Sequence, residues 1–138
     1  SKQYQIQEEV TKQNQSNSEL SVTSEQLALA IADAADEKKA NDIVLLKVAD
    51  ISYLTDYFVI ATGFSQIQIR AIAEEIEAKI AENFQRNPIR VEGKTEGNWI
   101  LQDYGDVIVH LFLPEDREYY NLEAFWGHAE RVQFRESS

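Results

Sequence analysis

Few side chains in this sequence are of the types that commonly make or break bonds. Cysteine is absent from all 138 residues, which excludes disulfides, thiolate nucleophiles and cysteine-ligated metal sites. Of the two histidines, His110 lies between apolar residues, and we place His128 near the end of a final helix. A lone histidine is a poor metal site, so we expect His110 to be a hydrogen-bonded histidine of a sheet or an interface residue. We therefore expect no metal and no cofactor.

Asp103 and Asp106 come closest to a catalytic pair of carboxylates. They flank Tyr104-Gly105 between two apolar runs, and a glycine among short polar side chains is typical of a tight hairpin turn. Aspartate caps its own backbone in such turns, so turn formation explains both residues without catalysis. No serine, histidine and acid form a recognisable nucleophile motif in the chain.

Ser65 opens the other segment with potential for ligand binding. It follows a short apolar run and Gly63, and Gln68 three residues later completes the pattern of a helix cap. A glycine and a serine at a strand-to-helix turn also occur in nucleotidyltransferases, which need two closely spaced carboxylates on a following strand to hold magnesium. The next predicted strand offers Arg90 and Glu92 instead. A nucleotidyltransferase-type nucleotide-binding enzyme is thus the alternative hypothesis, and it lacks its metal pair.

The aromatic residues of the hairpin give a different kind of candidate site. Strand side chains alternate between faces, so Trp99 and Leu101 share one face while Ile100 and Gln102 share the other. Tyr104 lies at the turn tip, where we expect it to be exposed. Tryptophan and tyrosine dominate protein interfaces. Periodicity alone leaves open whether Trp99 belongs to such an interface or closes the core.

The remaining elements must position these residues. Apolar runs predict strands, and apolar residues at helical spacing predict helices. We predict a helix at 24–39 that ends at Asn41-Asp42, strands at 43–48 and 57–62, a helix at 65–85, a strand at 89–92, the hairpin at 99–113 and a helix from 114 to about 129. The strand–helix–strand unit over 57–92 favours a parallel pairing, and the hairpin adds an antiparallel one. The fold class is therefore α/β (mixed α+β), with a mixed β-sheet covered by helices.

Composition indicates the domain organisation and the class of partner. Residues 1–18 are polar without an apolar period, so we expect a disordered tail, then a single domain over 19–134 and a frayed end at 135–138. Residue 1 is serine, which we expect to be a processing boundary. No segment resembles a signal peptide or a membrane span, so we expect a soluble protein. With 24 acidic and 13 basic residues, the net charge of -11 disfavours direct nucleic-acid binding and favours a basic protein partner.

Several segments together resemble the ribosomal silencing factor family, also called RsfS or Iojap-like proteins. The most specific is the hairpin, with its tryptophan, its aspartate, its glycine-aspartate pair and its histidine. The resemblance covers about Glu25 to Trp126. It rests on residues 42–48, 55–63, 91–93 and 98–110, with Tyr120, Leu122, Glu123 and Trp126.

The resemblance implies a fold like that of the nucleotidyltransferases without their catalytic residues, and so a protein that is not an enzyme. It implies binding to the large ribosomal subunit through its protein L-fourteen, at the surface where the small subunit joins. Translation would then fall when nutrients are short. The family's contact surface maps to Trp99, Ile100 and Leu101, with Asp103, Tyr104, Asp106 and His110 as supporting residues.

Other interpretations stay open from the sequence. The nucleotide-binding enzyme is one, and a module that binds another basic protein is a second. The apolar strand face is compatible with a homodimer. We expect a bacterial cytoplasmic protein, or a protein of an organellar stroma or matrix from which a transit peptide has been removed.

Overall fold

The structure is a computed structural model that describes residues 23–134. The predicted tail at 1–18 and the predicted frayed end at 135–138 lie outside the described residues. The elements in chain order are α1 (Ser24–Glu37), β1 (Asn41–Lys47), β2 (Tyr57–Thr62), α2 (Gln66–Phe84), β3 (Arg90–Glu92), β4 (Trp99–Asp103), β5 (Val107–Phe112), α3 (Pro114–Tyr120), α4 (Leu122–Phe125) and β6 (Glu130–Val132).

The described strands form one mixed sheet in the order β3-β4-β5-β2-β1-β6. β2 and β5 run parallel, with Tyr57 opposite Val107 and Thr62 opposite Phe112, and the other described pairs are antiparallel. The mixed α/β fold class is confirmed, but the parallel partner is different from the predicted one. β3 does not pair with β2, because this short strand with exposed charges lies at the edge beside β4, and the apolar β5 takes the central place.

Both long helices begin where their capping residues predict. The Thr23 hydroxyl accepts a hydrogen bond from the Gln26 amide at 3.1 Å, and the Gln26 side chain accepts one from the Thr23 amide at 3.0 Å. The Ser65 hydroxyl accepts from the Gln68 amide at 3.0 Å. The first helix ends earlier than predicted, at Glu37, since the backbone reverses at Lys39 with φ of 66°. Residues 41–42 therefore begin β1 instead of ending the helix.

α1 and α2 pack on one face of the sheet. α2 buries a stripe of isoleucines at helical spacing against side chains that include Ile100, Val109 and Leu111. Full burial of each such side chain contributes about 1.5–3 kcal/mol of transfer free energy. The stripe consists of Ile69, Ile72, Ile76 and Ile80.

The opposite face of the sheet is also apolar, and among the described residues the C-terminal segment covers it. Its buried residues are Leu46, Val48, Phe58, Ile60 and Phe112, and the partly buried Leu122, Trp126 and Ala129 pack on them. Among the described residues, no long helix lies over this face.

The C-terminal segment differs from the predicted single helix. It consists of two short helices separated by Asn121, whose φ of 47° breaks the helical backbone. After α4 the chain forms β6, which pairs antiparallel with β1 through Leu45 opposite Val132. The prediction of a helix to about residue 129 was therefore wrong, and His128 lies between α4 and β6 instead of at a helix end. The sequence gives little local indication of either feature, because the helix break depends on the left-handed backbone of Asn121 and β6 pairs with residues far away along the chain.

The hairpin turn is held by side chains on both sides of it. The Asp103 carboxylate accepts a hydrogen bond from the Gly105 amide at 2.8 Å, which confirms its predicted capping role. Asp106 has a different role, because Arg86 forms an ion pair with its carboxylate at 2.8 Å. The same guanidinium donates to the Tyr104 carbonyl at 2.6 Å.

Tyr104 is not exposed, contrary to its predicted place at the turn tip. Its side chain is only 1% exposed and belongs to the core under the helices. Burial is the main cause that raises the pKa of its hydroxyl. The ring points to the α2 side because even-numbered residues of β4, such as Ile100 and Gln102, face that way, and Tyr104 continues the alternation.

The Arg86 contacts predict a measurable contribution to stability. We expect Arg86→Met to lower the free energy of unfolding by about 1–2 kcal/mol, since charged hydrogen bonds to a partly buried turn are lost. Arg90→Met is the control, because its ion pairs with Glu92 and Asp103 are mostly exposed. That change should cost less than about 0.5 kcal/mol. Urea unfolding measures both, and equal losses would contradict the assignment.

Candidate functional site

Aromatic rings form a continuous cluster on the sheet face away from the long helices. The Trp99 ring centroid lies 4.5 Å from that of Tyr120 and 4.9 Å from that of Phe112. Phe58 joins His110 to Trp126 through edge contacts with centroid distances of 5.2 and 5.3 Å. We call this cluster the aromatic surface; its members are Phe58, Trp99, His110, Phe112, Tyr120 and Trp126.

The aromatic surface is open to solvent at one end. Phe58, His110 and Phe112 are buried, but Trp99 and Trp126 are only partly buried and Tyr120 is 45% exposed. The neighbouring Tyr119 is 80% exposed. A cluster of large exposed apolar side chains is characteristic of an interaction site.

Trp99 is held in place by a hydrogen bond within the cluster. Its indole Nε1 donates to His110 Nδ1 at 3.1 Å. Nδ1 must then be unprotonated, which makes His110 the neutral tautomer with its proton on Nε2. Burial lowers the pKa of His110 to about 4, so the ring stays neutral near pH 7. The prediction of a hydrogen-bonded sheet histidine is confirmed.

The backbone that precedes Trp99 is also fixed. Gly93 has a φ of 87°, and a Cβ atom added there would lie 1.9 Å from the Trp99 carbonyl oxygen. Only glycine permits this close approach of the two chain segments. The loop over 93–97 is thereby packed against the start of β4, where Trp99 lies.

The structure separates the predicted contact residues into groups. Trp99 and Leu101 are partly buried and lie on the sheet face away from the long helices, opposite Phe112 and His110 of β5. Ile100 is fully buried on the opposite face, under the long helices, as is Tyr104. Ile100 and Tyr104 therefore do not share an exposed surface with Trp99.

The two predicted aspartates lie at the other end of β4 from Trp99. Asp103 and Asp106 are partly buried at the turn, where they bond to Gly105 and Arg86. Of the predicted set, Trp99, Leu101 and His110 therefore lie together on the sheet face that carries the aromatic surface.

Sequence reasoning missed the aromatic partners of Trp99 as site residues. Phe58 and Phe112 come from two strands that are adjacent only through the parallel pairing, which was assigned to a different partner. Tyr120 was placed in a longer helix, so its contact with Trp99 was not foreseen. The sequence feature that could have indicated these partners is the occurrence of aromatic residues at alternate positions of the strands.

An ion pair fixes the helix that bears Tyr120. Arg117 donates to the Glu123 carboxylate at 2.6 Å and 3.2 Å and to the Thr62 hydroxyl at 2.8 Å. Burial alone would raise the pKa of Glu123, but the hydrogen bond and charge of Arg117 lower it on balance. These contacts join α3 and α4 to the end of β2.

Between residues 23 and 134, no group of three or more histidines, cysteines, aspartates or glutamates is placed to hold a metal ion. The strand after α2 presents Arg90 and Glu92, both exposed, where a nucleotidyltransferase needs two carboxylates. No described helix is long and apolar enough to cross a bilayer.

Comparisons with known proteins identify the family. The family model described as "Ribosomal silencing factor during starvation" matches residues 21–138. The chain is 43% identical over 109 residues to the ribosomal silencing factor RsfS of Halalkalibacterium halodurans, covering 79% of this chain and 92% of the relative. It is 46% identical over 98 residues to RsfS of Bacillus subtilis, covering 71% and 82% of the two chains.

A solved structure has the same fold. The crystal structure of a Chromobacterium violaceum protein superposes with a TM-score of 0.74 at 31% sequence identity. The match covers 84% of this chain and 95% of that one.

The buried His110 predicts a pH dependence of stability. Its pKa is about 4 in the folded protein and about 6.5 when unfolded, so the unfolded chain binds more protons between these values. The free energy of unfolding should therefore fall by about 3 kcal/mol from this group as the pH drops from about 6.5 to 4, with no contribution above 7.

Urea unfolding between pH 5 and 7 measures this effect. His110→Gln is the matched variant, because a glutamine oxygen also accepts a hydrogen bond but does not titrate. The variant should lose less stability than the parent across this range. Parallel pH curves would contradict the assignment.

Proposed function

The chain belongs to the ribosomal silencing factor family, and from this membership we propose that it binds the large ribosomal subunit through protein L-fourteen. Occupying that surface would prevent the small subunit from joining and so repress translation under nutrient limitation. The mechanism needs only occupancy, since two bodies cannot share one surface. It requires no bond-making chemistry, so we propose that the protein is not an enzyme.

The observation that supports this proposal is the partly open aromatic surface around Trp99. Binding energy at protein interfaces is concentrated in a few buried anchors, and tryptophan and tyrosine are enriched among them. We propose Trp99 and Tyr120, whose rings are in contact, as these anchors, with Leu101 extending their surface along β4. His110 orients the Trp99 indole before any partner arrives, which reduces the entropy lost on binding.

The other residues proposed for the site have supporting roles. Ile100 and Tyr104 hold β4 and its turn against the core under the helices. Asp103 caps the turn, and Asp106 holds it through Arg86. We propose that these four residues preserve the shape of the hairpin and do not touch the partner.

Charge supports a basic partner. The net charge of the chain is -11. α3, which bears Tyr120, carries Glu115, Asp116 and Glu118 beside the aromatic surface. An acidic rim attracts a basic ribosomal protein and speeds its encounter, while the aromatic anchors determine how long the complex lasts.

Two further aspects of the proposal concern assembly and compartment. A second copy of the chain would cover the same apolar strand face, so a homodimer would have to open before the protein binds a subunit. Localisation is proposed to be the bacterial cytoplasm, as for a bacterial translation regulator, or the stroma or matrix of an organelle.

The first test is truncation of the central anchor. Trp99→Ala should cost about 2–4 kcal/mol of binding to large subunits, or about a 30- to 1,000-fold weaker Kd. Tyr53→Ala is the control, because Tyr53 is a fully exposed aromatic residue outside the aromatic surface. Co-sedimentation measures both, with circular dichroism to confirm that each variant is folded. A Trp99→Ala variant that binds like the parent would show that the site is misplaced.

The proposed activity is tested by a subunit-joining assay. Purified small and large subunits are mixed with the protein in saturating excess and separated on a sucrose gradient. We expect the joined-ribosome peak to fall with the parent chain and with Tyr53→Ala, and to persist with Trp99→Ala. If joining proceeds normally with the parent chain bound, the steric mechanism is wrong.

A further inference from the structure

A cavity opens at the end of the sheet where the parallel strands β2 and β5 finish. Its volume is about 510 Å³, which is within the usual range of ligand pockets. Thr62 at the end of β2 and Phe64 just after it line one side, and Pro114 and Arg117 of α3 line another. Because α3 also bears Tyr120, the cavity lies beside the aromatic surface.

The charges of the cavity wall do not balance. The wall contains the carboxylates of Asp42, Glu118 and Glu123 and the guanidinium groups of Arg117 and Arg131. Arg117 and Glu123 neutralise each other at 2.6 Å, and Arg131 also acts on Glu123. Asp42 and Glu118 form no ion pair with any residue of the described range. One negative charge is therefore left over, which disfavours phosphates and other anionic ligands.

The wall also has an apolar side. Phe64 is 62% exposed, although it is a large hydrophobic residue on a chain with a well-packed core. The face of a phenylalanine ring attracts a cation, and its apolar surface packs well against the methylene stem of a long basic side chain. The cavity thus combines an aromatic wall with unpaired carboxylates.

We propose that this cavity receives the cationic side chain of a lysine or arginine from the basic protein partner. Asp42 and Glu118 bind the charge, and Phe64 packs against the stem. The proposal rests on the proposed function for the presence of that partner at the adjacent aromatic surface. It adds a second contact that fixes how the partner is oriented on Trp99, since one basic residue must reach the end of β2 while the partner covers the aromatic rings.

The site itself is tested without a ribosome. The isotopically labelled full chain is titrated with acetyl-arginine amide, acetyl-lysine amide and the neutral acetyl-norleucine amide, and chemical shifts are followed by NMR. We expect the cationic probes to shift amides near Asp42, Thr62, Phe64 and Glu118 at millimolar concentrations, with at least a fivefold smaller effect from the neutral probe. Asp42→Asn with Glu118→Gln should abolish the difference. Equal shifts from the neutral probe, or none from the cations, would overturn the proposal.

The contribution to partner binding is tested with large subunits. Asp42→Asn with Glu118→Gln should weaken the Kd about tenfold. The control is Glu74→Gln with Glu82→Gln, which removes the same charge from exposed positions of α2 and should change the Kd less than twofold. Equal weakening by both pairs would mean that only overall charge matters and would overturn the proposal.

The two levels of inference fail in different ways. If Trp99→Ala weakens subunit binding but the cavity variant does not, the cavity proposal is wrong and the proposed function stands. If the parent chain does not bind large subunits, the proposed function is wrong, and the amino-acid amide titration alone decides whether the cavity binds cations.

Discussion

The two-sided apolar character of β2 and β5 is the constraint on which the rest of the structure depends. Val59 and Val109 face the long helices, whereas Phe58 and Phe112 face the other way. Within the described chain, α1 and α2 cover only the first face. Residues 114–132 must cover the second face with short elements, and they do so incompletely. The open part of that face is where Trp99 and Tyr120 meet.

The pairing of Trp99 with His110 follows from this partial cover. A buried histidine in an apolar strand needs a hydrogen-bond partner, and Trp99 at the start of β4 has one side-chain donor, its indole N–H. The indole N–H of Trp99 donates to His110 Nδ1 at 3.1 Å, so the indole donor and this imidazole acceptor satisfy each other. The indole is thereby fixed in one orientation while part of its surface remains exposed.

The parts of the fold that were predictable are those fixed by local chemistry. The capping residues Thr23 and Ser65 mark the helix starts, and the Asp103 turn marks the hairpin. The alternation of side chains predicts which residues of β4 share a face. It did not decide whether Trp99 is exposed. Continued past the end of the strand, the same alternation accounts for the burial of Tyr104. What escaped prediction depends on contacts between distant residues, such as the pairing of β2 with β5 and of β6 with β1. The prediction named Trp99 and His110 for the candidate site, but the aromatic rings that the structure packs around them come from those distant elements.

The two edge strands of the described sheet disfavour one mode of association with other proteins. β3 and β6 span three residues each, and their exposed residues include Arg90 and Glu92 on one side and Glu130 and Arg131 on the other. Short charged strands offer too little unpaired backbone for another chain to extend the sheet. The described sheet edges therefore disfavour recognition by strand addition and favour recognition through side chains, and a peptide that copies one strand would be a poor competitor. A useful inhibitor would need to mimic the shape of a folded partner.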